Sequence, residues 1–366
     1  MRRGGSPAIR QSRSSGVLTI QTLLKQNEWL RRVTGVDRWH AAGYYGAGVV
    51  AGTGENVDTG KYDAGGQIVH VLDRAGSEHA IQTAATFFQV APEATLYSFS
   101  TNTSLSNGVK HWDFFDDCLP VIDEKQITNV FFSRVENDKT AREKHGAVLA
   151  ARPWLKEFWA AGNEGENRYS RILELEDVIG VGAAEVLRSD RVIGGPRVSP
   201  AGYTSQTELV DFAAPGNPAV SIGATDSADR GEVLAGTSYA APWLCGMACL
   251  VDELFLEKTG RPLSRAGMVQ FFRDHCEDIG EEGKDSCSGF GLVVLPEPGE
   301  IDIEKYREAE QMTFTDAHLI ADWAKDAVEY CVEHGLMQGK GEKFDPKAPI
   351  TREEFCVVLQ RVMEAM

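Results

Sequence analysis

An α/β domain on a parallel sheet, followed by a small helical module, is the architecture this sequence predicts. Short apolar runs that read as strands alternate with helical patterns over residues 36–296. Within that stretch the small-residue turn Ala235-Gly236-Thr237-Ser238-Tyr239-Ala240-Ala241-Pro242 opens an apolar run from Trp243 to Val251, which reads as a buried helix. Beyond an acidic, proline-containing stretch at 297–312, residues 313–366 hold two further helical patterns separated by Gly and Pro turns. Residues 1–35 read as a basic arm and a helix.

A chain of 366 residues accommodates one large domain and one small one. Charged residues at 25% and apolar residues at 42% describe a soluble globular protein. A net charge of −17 argues against nucleic acid as a partner, although residues 1–40 carry eight Lys/Arg and only Glu28 and Asp37 as acids. The seven cysteines are scattered with no Cys-x-x-Cys spacing, which predicts no zinc site. Cys245 and Cys249, four apart on the helix after Ser238, read as small core residues, and free buried thiols suit a reducing compartment. No run reads as a signal peptide or a membrane span, so the expectation is a cytoplasmic chain.

In chain order, Met1–Ser15 is Arg/Ser/Gly-rich and reads as disordered, and Leu18–Val33 has a helical apolar pattern. Gly43–Gly48 is a glycine-rich turn before Val49–Gly54, a buried strand ending on Glu55. Glu78–Thr86 reads as a helix of small residues containing His79, with Leu96-Tyr97 in the next strand. Ile127–Phe132 is an apolar strand and Ala141–Lys156 a helix. A serine in a small-residue turn at the start of a buried helix suits nucleophilic acyl chemistry, because the helix N-terminus aims N–H groups and a favourable dipole at a developing oxyanion. Taken alone, Gly-Thr-Ser is also simply a capping turn.

Three segments together resemble the subtilisin-like serine peptidases (subtilases). Gly236-Thr237-Ser238-Tyr239-Ala240-Ala241-Pro242 is similar to the family's nucleophile motif, and Ala160-Ala161-Gly162-Asn163-Glu164-Gly165 to its oxyanion motif. Glu78-His79 followed by Val90-Ala91-Pro92-Glu93-Ala94 is similar to its histidine helix and the turn after it, although only the histidine and the small-residue spacing of that helix survive. The resemblance covers residues 36–296 and implies a three-layer domain in which Ser238 attacks, His79 is the base and Asn163 donates to the oxyanion. It implies that Ser133, Arg134 and Gly162 line the substrate site, with Ser133-Arg134-Val135-Glu136 standing where the family has Ser-Leu-Gly-Gly. The acid stays open. Ungapped counting from Gly48 gives Glu55, whereas Asp58-Thr59-Gly60 repeats the family's wording after a three-residue insertion; the cost of burying an unpaired Glu favours Glu55.

The resemblance implies a protein or peptide substrate and no cofactor in the chemistry; subtilases often carry structural calcium, for which no ligand set is identifiable here. Two functions remain open: a serine endopeptidase, or a pseudopeptidase that binds peptides or partners. Residues 313–366 closely resemble a single S-layer homology (SLH) module, whose hallmark Thr-Arg-Ala-Glu is Thr351-Arg352-Glu353-Glu354 here. That implies attachment to an acidic cell-wall polymer; the alternative is a packing module or a site for a protein partner, and Thr351 and Glu354 also suit a capping box.

Overall fold

A computed structural model describes residues 18–19, 24, 27–58, 62–63, 67–71, 76–99, 118–165, 168–187, 197–220, 232–310, 314, 316, 319–333, 336–337, 339 and 343–364. The predicted disordered Met1–Ser15 lies outside them. The main sheet contains β1 (Val50–Thr53), β2 (Ile68–His70), β3 (Thr95–Ser98), β4 (Asn129–Phe132), β5 (Lys156–Ala160), β6 (Ile179–Leu187), β7 (Arg197–Pro200), β8 (Phe212–Pro215), β9 (Cys276–Glu277) and β10 (Leu292–Val293). Its order is β9-β10-β8-β6-β5-β4-β1-β3-β2, parallel throughout except where β9 meets β10, with β7 antiparallel on β6. The helices are α1 (Glu28–Val33), α2 (Val36–Ala42), α3 (Glu78–Phe88), α4 (Leu119–Lys125), α5 (Lys139–Ala150), α6 (Thr237–Thr259), α7 (Arg265–Asp274), α8 (Ile303–Glu310), α9 (Lys325–Glu333) and α10 (Arg352–Glu364).

Three layers follow from the sequence. The strands β4, β5 and β8 are buried along their whole length, as parallel strands covered on both faces must be. One apolar cluster joins α3, α6 and α7 to one side of the sheet; a second joins Ile122 of α4 and Val148 and Leu149 of α5 to the other. Helix α6 packs against α3, β4, β5, β6 and β8, and is the central element of the domain. It is long and apolar enough to cross a membrane by length and composition, contrary to the expectation that no run is, but 89% of its most apolar window is buried inside the protein.

Several boundaries differ from expectation. Within the helical pattern over Leu18–Val33, Leu18–Thr19 is a two-residue strand paired with Tyr62–Asp63, Leu24 is helical, and α1 starts at Glu28 after Asn27, which takes a left-handed conformation at the cap. The helix expected to reach Lys156 stops at Ala150, before Pro153, and Lys156 begins β5. There Lys156 is fully buried: Nζ lies 3.1 Å from Asp252 of α6 and donates to the Leu263 carbonyl, while Asn129 donates to the same carboxylate at 2.6 Å. A polar network of this kind offsets part of the desolvation of both charges.

The stretch 297–312, expected to be a linker, instead contains α8. Tyr306 is 2% exposed, its ring lies against Phe255 and Phe271, its hydroxyl donates to Asp274, and Lys305 pairs with the same carboxylate at 2.7 Å. Within the charged sequence IEKYREAE, Tyr306 lies in the core and Ile303 packs against it. Burying such a side chain contributes about 2–3 kcal/mol. A chain ending at residue 300 should therefore melt about 3–5 °C below one ending at 312. Equal melting temperatures by calorimetry would restore the linker reading.

Candidate active site

Glu55 follows β1 at the sheet's C-terminal edge, where parallel α/β sheets place functional groups. Its segment is fixed at several points: Gly54 N–H donates to the Phe131 carbonyl, the Ser98 hydroxyl donates to the Glu55 carbonyl, and Ser98 Oγ accepts from Val57 N–H at 3.0 Å. Val57 bridges Ser77, and Ser77 caps α3 by accepting the Ala80 N–H at 3.0 Å. Strand end and helix start are thus joined directly, which places His79 beside Glu55. His79 Nδ1 lies 2.7 Å from Glu55 Oε1, and Thr83, one turn further along α3, donates to Oε2 at 3.0 Å. Glu55 is 4% exposed. Asp58 comes after the bridge, with its backbone against Gly76, and the geometry brings Glu55 to the histidine.

Burial lowers the His79 pKa, but the Glu55 hydrogen bond and charge outweigh it, and the net direction is above the ordinary 6.5. A neutral ring that donates Nδ1–H to the carboxylate carries its lone pair on Nε2. The ring also lies 5.9 Å from that of Tyr239, whose hydroxyl donates to Gln82 of α3 at 2.8 Å and ties the two helices together.

Ser238 is the second residue of α6. Its Oγ donates to the Ser133 carbonyl at 3.2 Å, and the Ser133 hydroxyl donates to the Ser238 carbonyl at 2.6 Å. Asn163 follows β5 on the neighbouring loop. Its Oδ1 accepts from Thr237 N–H at 2.8 Å and from the Thr237 hydroxyl at 3.0 Å. A backbone N–H only donates, so these contacts fix the amide orientation and leave Nδ2 as the outward donor. Gly162 has φ +115°, and a Cβ there would stand 2.6 Å from Ser205 Oγ, so only glycine fits beside Asn163. Of the first-turn N–H groups of α6, that of Thr237 goes to Asn163 and that of Tyr239 to the Gly236 carbonyl, which leaves that of Ser238 to meet an anion.

A cavity of about 430 Å³ adjoins the serine, lined among others by Arg134, Gly162, Asn163, Glu164, Tyr169 and Ser238. Arg134 stands 5.8 Å from the rings of both Phe132 and Trp159, which stack at 4.0 Å. Beneath them buried Glu157 accepts from Trp159 Nε1 at 2.9 Å and meets His145 Nδ1 at 3.0 Å. Ser238, His79, Glu55, Asn163, Ser133, Arg134 and Gly162 thus lie on the sheet's C-terminal edge and the adjoining helix starts. The sequence reading missed Thr83 and the anchoring role of Thr237. The one signal for Thr83 was its position four residues after His79, on the same helix face.

Comparison with solved structures gives a lanthipeptide protease (19% identity, TM-score 0.57, 75% of this chain and 92% of that one) and the prenylagaramide maturation protease PagA (15%, 0.57, 75% and 98%). Fervidolysin from Fervidobacterium pennivorans, a keratinolytic enzyme related to subtilisin, matches at 18% identity and TM-score 0.56, over 75% of this chain and 46% of that one. At these identities the likeness shows the fold, which is subtilisin-like. The family model of the S-layer homology domain matches residues 313–356. Over 61 residues the chain is 36% identical to the surface-layer 125 kDa protein of Lysinibacillus sphaericus; the match spans 16% of this chain and 5% of that protein. In this module Thr351 and Glu354 form the reciprocal capping box, at 2.7 and 3.1 Å.

Proposed function

We propose that this chain, which has a subtilisin-like fold and a C-terminal S-layer homology domain, is a serine endopeptidase. The observation that carries the reading is the 2.7 Å contact between His79 Nδ1 and the buried Glu55 carboxylate, on the helix packed against the one that Ser238 opens. Glu55 sets the tautomer and stabilises the imidazolium; Nε2 takes the Ser238 proton as Oγ attacks the scissile carbonyl, then returns it to the leaving amine. Asn163 Nδ2 and the Ser238 N–H stabilise the oxyanion. Before attack Ser238 turns from the Ser133 carbonyl toward His79, a tightening of the kind substrate binding brings about. No cofactor enters this chemistry.

The S-layer homology match supports association with a cell wall or surface layer, in place of the cytoplasmic expectation. Thr351 and Glu354 are engaged in the cap, so Arg352 is the residue of that motif left to meet an acidic polymer.

The test is labelling with a fluorophosphonate. The wild-type chain should be modified at Ser238, and Ser238→Ala and His79→Ala should not. An unlabelled but folded wild type would favour the pseudopeptidase, a reading supported by the Ser238–Ser133 hydrogen bond and the charged segment Arg134–Glu136.

A further inference from the structure

We propose that Thr83 is a positioning residue for the reaction at Ser238: its hydroxyl clamps one oxygen of the Glu55 carboxylate and so keeps the other against His79 Nδ1. The inference rests on the peptidase reading of the site. A glutamate carries one more rotatable bond than an aspartate, so contact with the imidazole alone leaves its carboxylate free to turn. In this protein both oxygens are held. Oε1 meets His79 Nδ1 at 2.7 Å, and Oε2 accepts from Thr83 at 3.0 Å. Among the described residues these two are the hydrogen-bond partners of the carboxylate.

The clamp is built from buried parts. Thr83, like Glu55, is almost fully buried, and it lies one turn beyond His79 on α3, so base and clamp reach the carboxylate from one helix face. Its hydroxyl also stands 3.1 Å from the Ala80 carbonyl, but it has a single proton to give, and a carboxylate is the stronger acceptor. Without that hydroxyl Oε2 is left buried and lacking a donor, a costly state that the carboxylate relieves by turning. Turning takes Oε1 off Nδ1 and deprives the base of its tautomer and its counter-charge. Other titratable groups face the pair from the elements around it. Tyr239 of α6 turns its hydroxyl to Gln82, Arg134 after β4 feels the Glu55 charge, and Asp58 follows Glu55 beyond the Val57–Ser77 bridge.

The experiment measures the second-order rate of Ser238 labelling by a fluorophosphonate against pH, and the titration of His79 by NMR, in the wild type, Thr83→Val and Thr83→Ser. Val keeps the shape and removes the donor, and should label about tenfold more slowly or worse. With Glu55 turned away, burial alone acts on the imidazole. The acid limb of labelling and the His79 titration should then both move to lower pH by about 0.5 or more. Thr83→Ser restores the hydroxyl and should label within about threefold of the wild type. A wild-type rate in Thr83→Val, a slower rate with the His79 titration unmoved or moved to higher pH, or no recovery in Thr83→Ser overturns the inference and leaves the peptidase reading standing. If Thr83→Val does not fold, Thr83→Ala replaces it with the same expected results. If the folded wild type takes no fluorophosphonate, the peptidase reading fails. The clamp is then judged by NMR alone, where a lower His79 titration in Thr83→Val supports it and an equal or higher one overturns it as well.

Discussion

Replacing Glu55 by Gln should lower kcat about 10⁴-fold, as an amide does in other Ser-His-acid sites, while Asp58→Asn should keep at least a tenth of wild-type activity. Glu55 Oε1 is the group at His79 Nδ1, and its second oxygen is held by Thr83. If the amide nitrogen of Gln faces Nδ1, the ring carries its proton on Nε2 and the base is lost. If the amide oxygen faces it, the tautomer survives but the imidazolium loses its counter-charge. A second readout follows from the direction of the His79 pKa. Burial lowers it, yet the hydrogen bond and charge of Glu55 raise it above 6.5 overall. The base works only when neutral, so kcat/KM should fall as pH drops through a value above 6.5. Glu55→Gln removes both raising contributions and leaves burial, which should carry the acid limb of the residual activity below 6.5. NMR titration of His79 follows the same shift without turnover. Full activity in Glu55→Gln with loss in Asp58→Asn would transfer the role to Asp58.

Much of this site was legible because short segments carry it. Gly236-Thr237-Ser238 makes a helix start, Gly162-Asn163 needs the positive φ of a glycine, and Ser77 caps the helix that presents His79. Each is a local rule of backbone geometry and hydrogen bonding, which sequence spacing displays. Choosing between Glu55 and Asp58 was harder, since it depends on how a strand end meets a helix cap through the Val57–Ser77 bridge, a contact 20 residues apart in the chain. Arg134 was visible as a departure from the family's Ser-Leu-Gly-Gly wording. Its support by Phe132, Trp159, Glu157 and His145 was not, because that cluster assembles from two strands and a helix. Lys156 and Asp252 are likewise buried as a pair, through a contact 96 residues apart that no local pattern displays. Helix α8 was misread for the opposite reason. Its composition is that of a solvated linker, and Tyr306 and Ile303 pack it onto the domain.

Asn163→Ala should lower kcat about 10²–10³-fold with little change in KM, the loss known for a single oxyanion-hole donor elsewhere. That variant alone does not separate two roles. Asn163 Oδ1 also holds the start of α6 through Thr237 N–H and Oγ1, so its loss could displace Ser238 as well as remove a donor. Asn163→Asp separates them. A carboxylate of the same shape still accepts both Thr237 hydrogen bonds, but it sets an anion where Nδ2 had donated, facing the charge that develops on the substrate oxygen. If Asn163 acts as the oxyanion donor, Asp should be at least as damaging as Ala, with kcat down by 10³-fold or more, because repulsion replaces attraction in a partly desolvated site. If Asn163 only anchors the helix, Asp should retain most of the activity that Ala loses. Fluorophosphonate labelling rates at Ser238, measured beside circular dichroism, give the same comparison without a peptide substrate. An Asp variant that labels at the wild-type rate would remove Asn163 from the chemistry and leave it as the anchor of α6.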